Sequence, residues 1–327
     1  MIIKEIKYEK SLFFGKLKII IISDKGKSVL KNIKIEKGRI EKLNSEIKGF
    51  ELNNIEDFEK LSEKIMNINE SAEIELGILN SYSHGWKIID ENSKQIPRPI
   101  FPVYKKEKGI KEFYILSLDA NNFDGVINTC KEIHNIVKQK IDKAIKVLND
   151  EEILVIIKES IDEMLNELDF ELRIGVAFNN FINEKYEYDS FSYGIEEQFN
   201  YVTQLIKNYD LVYVENPFGI NSPEHYLKLT KEHIDNCLIC LNSNNFNDIK
   251  NKSYNAFVVD YKNFKNFNSN IKYLRENKIN VIAEGHSDLL NLIVGFKIPL
   301  IKCENEKEIE NITKKLFYIG NEMKILS

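Results

Sequence analysis

Leu211-Val212-Tyr213-Val214-Glu215-Asn216-Pro217-Phe218 opens with an apolar run of strand length that ends on a carboxylate, Glu215. Residues 211–215 show no polar alternation, which is the pattern of a strand buried on both faces of a parallel sheet. Apolar residues at helical spacing follow over 223–234, so the segment reads as one strand–helix unit.

The same unit recurs on both sides. Upstream, a strand over 172–178 leads to a helix over 194–209. Downstream, strands over 237–241, 256–260, 280–284 and 300–303 lead to a short helix near Asn247 and to helices over 268–277, 287–296 and 306–322. Before these units come two strands, 100–104 and 112–118, joined by the charged loop 105–109, and then two helices over 123–148 and 151–168. Eight strands in the order ββαα(βα)₆ are enough to close an α/β barrel.

The first section has a different texture. Residues 16–23, 29–36 and 39–43 read as short strands, with a turn at Asp24-Lys25-Gly26-Lys27. Residues 55–67 and 74–86 then carry apolar side chains at helical spacing. Strands followed by helices make a small α+β unit. The Pro-dense stretch Lys94-Gln95-Ile96-Pro97-Arg98-Pro99 marks its end, giving a front unit over 1–95 and a barrel over 96–327.

Composition narrows the function classes. The 327 residues carry 51 acids against 46 bases, a net charge of -5, so no strong positive field is available to track nucleic acid. No stretch reaches the roughly 18 uninterrupted apolar residues of a membrane span. Met1-Ile2-Ile3-Lys4 lacks the charged-then-apolar build of a signal peptide, so a cytoplasmic chain is expected. Cys237 and Cys240 form a C-x-x-C, but inside a buried strand residues three apart point to opposite faces. These thiols, with Cys130 and Cys303, are therefore expected to pack rather than to ligate or pair.

Beyond these patterns, residues 211–218 resemble the enolase stretch in which a barrel strand ends in Glu-Asp-Pro-Phe. Leu172-Arg173-Ile174-Gly175-Val176, Lys185-Tyr186-Glu187-Tyr188 and Glu196-Glu197-Gln198 are similar to the family's preceding segments. Ile96-Pro97-Arg98-Pro99 resembles its entry to the barrel, Lys111-Glu112-Phe113 its Gln-Glu-Phe strand start, and Ile301-Lys302 its Ile-Lys. The ββαα(βα)₆ order is itself the enolase variation on the barrel. The resemblance is strongest over 96–235 and only architectural over 1–95. It implies an enolase-like barrel behind a reduced α+β front unit, and a symmetric homodimer.

The departures bear on chemistry. Enolases hold magnesium with three carboxylates, one at the end of each of three successive strands. By the resemblance these positions are Ala177, Glu215, and Leu241 or Asn242, so Glu215 alone remains as a candidate metal ligand. The family's catalytic lysine aligns with Asp260, which reverses the charge. Ala283-Glu284-Gly285-His286-Ser287 replaces its Ser-His-Arg-Ser turn. The family's mobile loops are absent as well. Glu112, at the family's catalytic glutamate, and Lys302, at its substrate-binding lysine, persist.

Two readings lead, ahead of a third, a true enolase whose ligands have moved. One is a binding or structural paralogue without phosphopyruvate hydratase activity, with no cofactor. The other is an acid/base enzyme or lyase with a repurposed mouth, using Glu112, Asp260, His286 and Lys302 on a small, anionic ligand. In either, Glu112, Glu215, Asp260 and Lys302 should converge at one end of the barrel, with the Lys302 ammonium within salt-bridge range of Glu215 or Asp260.

Overall fold

The computed structural model describes residues 1–10, 16–68, 72–117, 123–144, 147–164, 168–179, 181–182, 185–243, 253–260, 267–303 and 306–324. Its first elements are three strands, β1 (Ile3–Lys10), β2 (Leu17–Ser23) and β3 (Lys27–Ile33), paired antiparallel in that order. Ile3, Ile6, Ile19 and Ile21 are buried on one face of this sheet. Four helices follow, α1 (Lys37–Ile47), α2 (Ile55–Ile68), α3 (Ala72–Asn80) and α4 (Trp86–Ile89), of which α1 and α3 pack on the sheet.

Two expectations for this region are corrected. Residues 39–43 belong to α1 rather than to a strand, because Ile40, Leu43 and Ile47 bury one helical face at spacings of three and four. The helix expected over 74–86 divides into α3 and α4. β1 extends the sheet on the side that the sequence reading left unassigned.

The barrel follows: β4 (Arg98–Lys105), β5 (Ile110–Ser117), helices α5 (Phe123–Asp142) and α6 (Asp150–Met164), then β6 (Leu172–Phe178). A small antiparallel sheet of β7 (Phe181–Ile182), β8 (Lys185–Glu187) and β9 (Ser192–Tyr193) precedes α7 (Ile195–Tyr209). After it come β10 (Tyr213–Glu215), α8 (Pro223–His233), β11 (Leu238–Asn242), β12 (Ala256–Asp260), α9 (Phe267–Glu276) and β13 (Asn280–Glu284). A single 3₁₀ turn (Ser287–Leu289), α10 (Leu290–Gly295), β14 (Leu300–Lys302) and α11 (Glu306–Glu322) complete it. The short helix expected near Asn247 lies outside the described residues.

Eight strands close in the order β10-β11-β12-β13-β14-β4-β5-β6. All pairings are parallel except those of β5, which runs antiparallel to both β4 and β6. This reversal matters for the site. The mouth formed by the C-terminal ends of the other strands lies at the N-terminal end of β5, which is where Glu112 stands.

Apolar packing falls into two layers. The outer one runs between the barrel, its helices and the front elements. The inner one fills the lumen with Tyr114, Tyr213, Cys240, Val258, Ile282 and Leu300 among others. Tyr114 and Tyr213 meet edge to face with centroids 5.9 Å apart. Room for them comes from small residues: a Cβ at Gly175 would sit 2.9 Å from the Tyr213 Cβ and 3.0 Å from its ring. Cys237 lies in the outer layer and Cys240 in the lumen, so the two thiols diverge as strand geometry requires. Among the described residues no helix is long and apolar enough to cross a membrane.

Candidate functional site

Lys302 ends β14 with its side chain turned into the lumen, where only 7% of it remains exposed. An ammonium there loses its water shell and needs anionic partners in exchange. Three carboxylates surround it: Glu215 Oε1 at 2.9 Å, Glu284 Oε1 at 3.1 Å and Glu112 Oε2 at 3.7 Å. Strand register brings Glu284 there, since it pairs with Lys302 across β13 and β14.

The carboxylates are themselves held by neutral donors. The Tyr213 hydroxyl donates to Glu215 and the Tyr114 hydroxyl to Glu112. Each tyrosine lies two residues from its glutamate on the same strand, so both point to the same side of the sheet. Asn242 Nδ2 bridges two acids, donating to Glu215 Oε1 at 3.0 Å and to Glu284 Oε2 at 3.1 Å. Lys105 Nζ donates to Glu112 Oε1 at 2.9 Å from the solvent side.

Protonation follows from these contacts. Burial alone would lower the Lys302 pKa, but Glu215, Glu284 and Glu112 outweigh it and hold the ammonium charged. Burial, reinforced by the charge of Glu215, keeps the Tyr114 and Tyr213 phenols protonated as donors. Burial also pushes Glu112 up; the Tyr114 hydroxyl, Lys105 and Lys302 more than offset it and leave the carboxyl below its ordinary value of 4.5.

Because the folded pKa of Glu112 lies below the unfolded one, its contribution to stability is present above the unfolded pKa and is lost as pH falls through the folded pKa. Urea midpoints measured from about pH 6 down to about pH 3 should therefore fall less steeply for Glu112→Gln than for wild type. Parallel acid limbs would remove Glu112 from this account.

Convergence at the mouth holds for Glu112, Glu215, Asp260 and Lys302: Asp260 ends β12 in register with Glu284, which itself pairs with Lys302. The expected salt bridge of Lys302 is made with Glu215, and Glu284, which was not expected there, joins it. Asp260 also lines a cavity of about 330 Å³ between the front sheet and the mouth, with His286, Asp288, Glu73, Leu30 and Leu289. His286 Nδ1 lies 3.6 Å from Glu308 Oε2. Burial raises the Glu308 pKa, but bonds from Ser287 and Asn311 and the nearby His286 outweigh it and bring the carboxyl below its usual range. His286 shares this cavity with Asp260, while Lys302 lies among the buried carboxylates.

Glu284, Tyr114 and Tyr213 escaped the sequence reading, as did the bridging role of Asn242. A tyrosine spaced two residues from a glutamate at a strand end was the available signal for Tyr114 and Tyr213. Nothing local to Glu284 announces that it neighbours Lys302, because that depends on the register of two strands.

A three-carboxylate magnesium site does not fit these residues. Octahedral coordination of this hard ion draws on several oxygens free to face it. The strand ends supply Ala177 and the amide Asn242, with Leu241 turned to the outer layer. Glu215 already receives Lys302, Tyr213 and Asn242. Among the described residues no group of three or more His, Cys, Asp or Glu side chains is arranged to hold a metal ion.

Comparison with known proteins places this geometry among relatives. The chain is 32% identical over 152 residues to the enolase of Methanosphaera stadtmanae, covering 40% of this chain and 37% of that protein. It is 26% identical over 170 residues to the enolase of Archaeoglobus fulgidus, covering 45% and 42%. With the enolase of Pyrobaculum aerophilum it shares 29% identity over 175 residues, covering 45% and 41%. The matched region is thus about two fifths of the length of these curated relatives. No family model matches the chain.

Proposed function

The chain is related to the enolases, and we propose that it is a binding or structural paralogue without phosphopyruvate hydratase activity. The observation that carries this reading is the Lys302 ammonium held between Glu112, Glu215 and Glu284. A protein cation occupies the centre of the carboxylates, and the donors around them are protein groups. The charge reversal at Asp260 supports the same reading, since a carboxylate at that strand end repels a phosphorylated acid. In this reading the chain needs no divalent metal, and its residues 1–95 and 96–327 act as a front unit and a barrel. It assembles as a symmetric dimer, for which light scattering at micromolar concentration should return twice the mass of one chain.

Purified protein supplied with 2-phosphoglycerate and excess Mg²⁺ should form no phosphoenolpyruvate above the protein-free background. Turnover approaching the roughly 10 s⁻¹ of an ordinary enzyme would overturn the reading.

The cavity that holds Asp260 and His286 favours a second reading, an acid/base enzyme with a repurposed mouth. Its test is separate: a turnover found in any substrate screen should then be lost in both Asp260→Asn and His286→Ala.

A further inference from the structure

A second cavity, of about 250 Å³, opens at the C-terminal ends of β6, β10 and β11, and Asn242, which lines it, also bonds the buried carboxylates Glu215 and Glu284. Its lining joins apolar side chains, Phe181, Phe218, Ile220 and Leu241 among them, to the uncharged hydrogen-bonding residues Asn179, Asn216, Asn242 and Ser243. Among the described residues that line it, none carries a formal charge.

The wall is held in place before any ligand arrives. Asn216 sits at a left-handed φ of 48°, and its amide is bonded twice to the Asn242 backbone, accepting at 2.8 Å and donating at 3.2 Å. Gln198 Nε2 donates to the Pro217 carbonyl at 3.0 Å and the Tyr226 hydroxyl to the Phe218 carbonyl at 2.9 Å. The Gly219 N–H donates to the Tyr186 hydroxyl oxygen at 3.1 Å. Gly219 also lets the Phe181 ring lie directly on the backbone, since a Cβ there would meet the ring at 2.9 Å. Phe181 itself is 45% exposed. Asn242 spends Nδ2 on Glu215 and Glu284, and among the described residues no donor meets its Oδ1.

Charge selects against ions here. A full charge brought to this wall would lose water without gaining a counter-charge from the described residues that line it. Beneath the wall, three carboxylates against the two ammoniums of Lys302 and Lys105 leave one net negative charge, which disfavours anions further. The volume lies just under the roughly 300 Å³ at which small-molecule sites ordinarily begin, so the ligand is of single-ring size. An aromatic face beside amide acceptors and donors suits a molecule whose C–H face meets the negative face of a ring while its hydroxyls meet amides.

We propose that this cavity binds an uncharged polyol ring of monosaccharide size. The proposal deepens the binding reading above and rests on it.

Saturation-transfer NMR on the full chain tests it, with D-glucose, D-galactose, N-acetyl-D-glucosamine and myo-inositol as probes and 2-phosphoglycerate as the anionic comparator. At least one neutral ring should receive saturation. Phe181→Ala should weaken that binding about tenfold, the size of one aromatic contact. Asn179→Ala, at an exposed position, should weaken it too, and serves if Phe181→Ala does not fold. No transfer to any of the four rings, transfer unchanged in the variants, or transfer to 2-phosphoglycerate alone would each overturn the proposal. The hydratase assay on the same sample keeps this failure distinct from failure of the binding reading.

Discussion

Lys302→Ala should destabilise the fold by about 3–5 kcal/mol, the cost of leaving buried charge without its partner. The side chains concerned are mostly out of water: Lys302 is 7% exposed, Glu215 6%, Glu112 14% and Glu284 24%. Solvent screening therefore recovers little of the loss. Lys302→Met should cost nearly as much, because it restores volume but not charge. Lys302→Met combined with Glu215→Gln should recover part of the deficit, since the second change removes one of the stranded carboxylates. Chemical denaturation at neutral pH measures all three variants. A cost under about 1 kcal/mol for Lys302→Ala would mean the cluster behaves like a surface ion pair.

Gly175→Val should cost about 1–3 kcal/mol through overpacking of the lumen. The first carbon of the new side chain already falls 2.9 Å from the Tyr213 Cβ and 3.3 Å from Leu116 Cδ2. The Leu116 methyl can turn aside, but the Tyr213 Cβ is fixed to its barrel strand. The Tyr213 ring has to move, and its hydroxyl then leaves Glu215, so loss of packing couples to loss of a hydrogen bond. Trimming the ring in Gly175→Val/Tyr213→Leu should return part of the stability. A variant as stable as wild type would show that the lumen is looser than this packing implies.

The barrel was legible because parallel strands buried on both faces are near-continuous apolar runs, and residues 174–178, 211–214 and 256–259 obey that rule. Residues 39–43 misled because five residues are too few to separate the two periods; Ile47 settles the matter for α1. The gap between α3 and α4 falls on Ser81-Tyr82-Ser83-His84-Gly85, where the serines and the glycine were the available signal.

Within the site, Glu215, Glu112 and Lys302 could be placed by resemblance to the enolases. Glu284 and Asp260 could not be ranked, because their roles depend on which strand stands beside β14. Asn242 was placed only as an alternative to Leu241 at a lost ligand position, and its Nδ2 contacts to two carboxylates give it its role. The lumenal tyrosines read as ordinary core, which by volume they are.

The central claim is that a lysine ammonium, rather than a metal ion, satisfies the carboxylates of the mouth. Titrating magnesium chloride into the wild-type protein, with the thermal midpoint as the readout, tests it most directly. A ligand specific for the folded state raises stability by about 2.7 kcal/mol at a hundred times its dissociation constant. The account predicts a midpoint that stays flat through the millimolar range. A saturating rise in the wild type, abolished by Glu215→Gln, would contradict it.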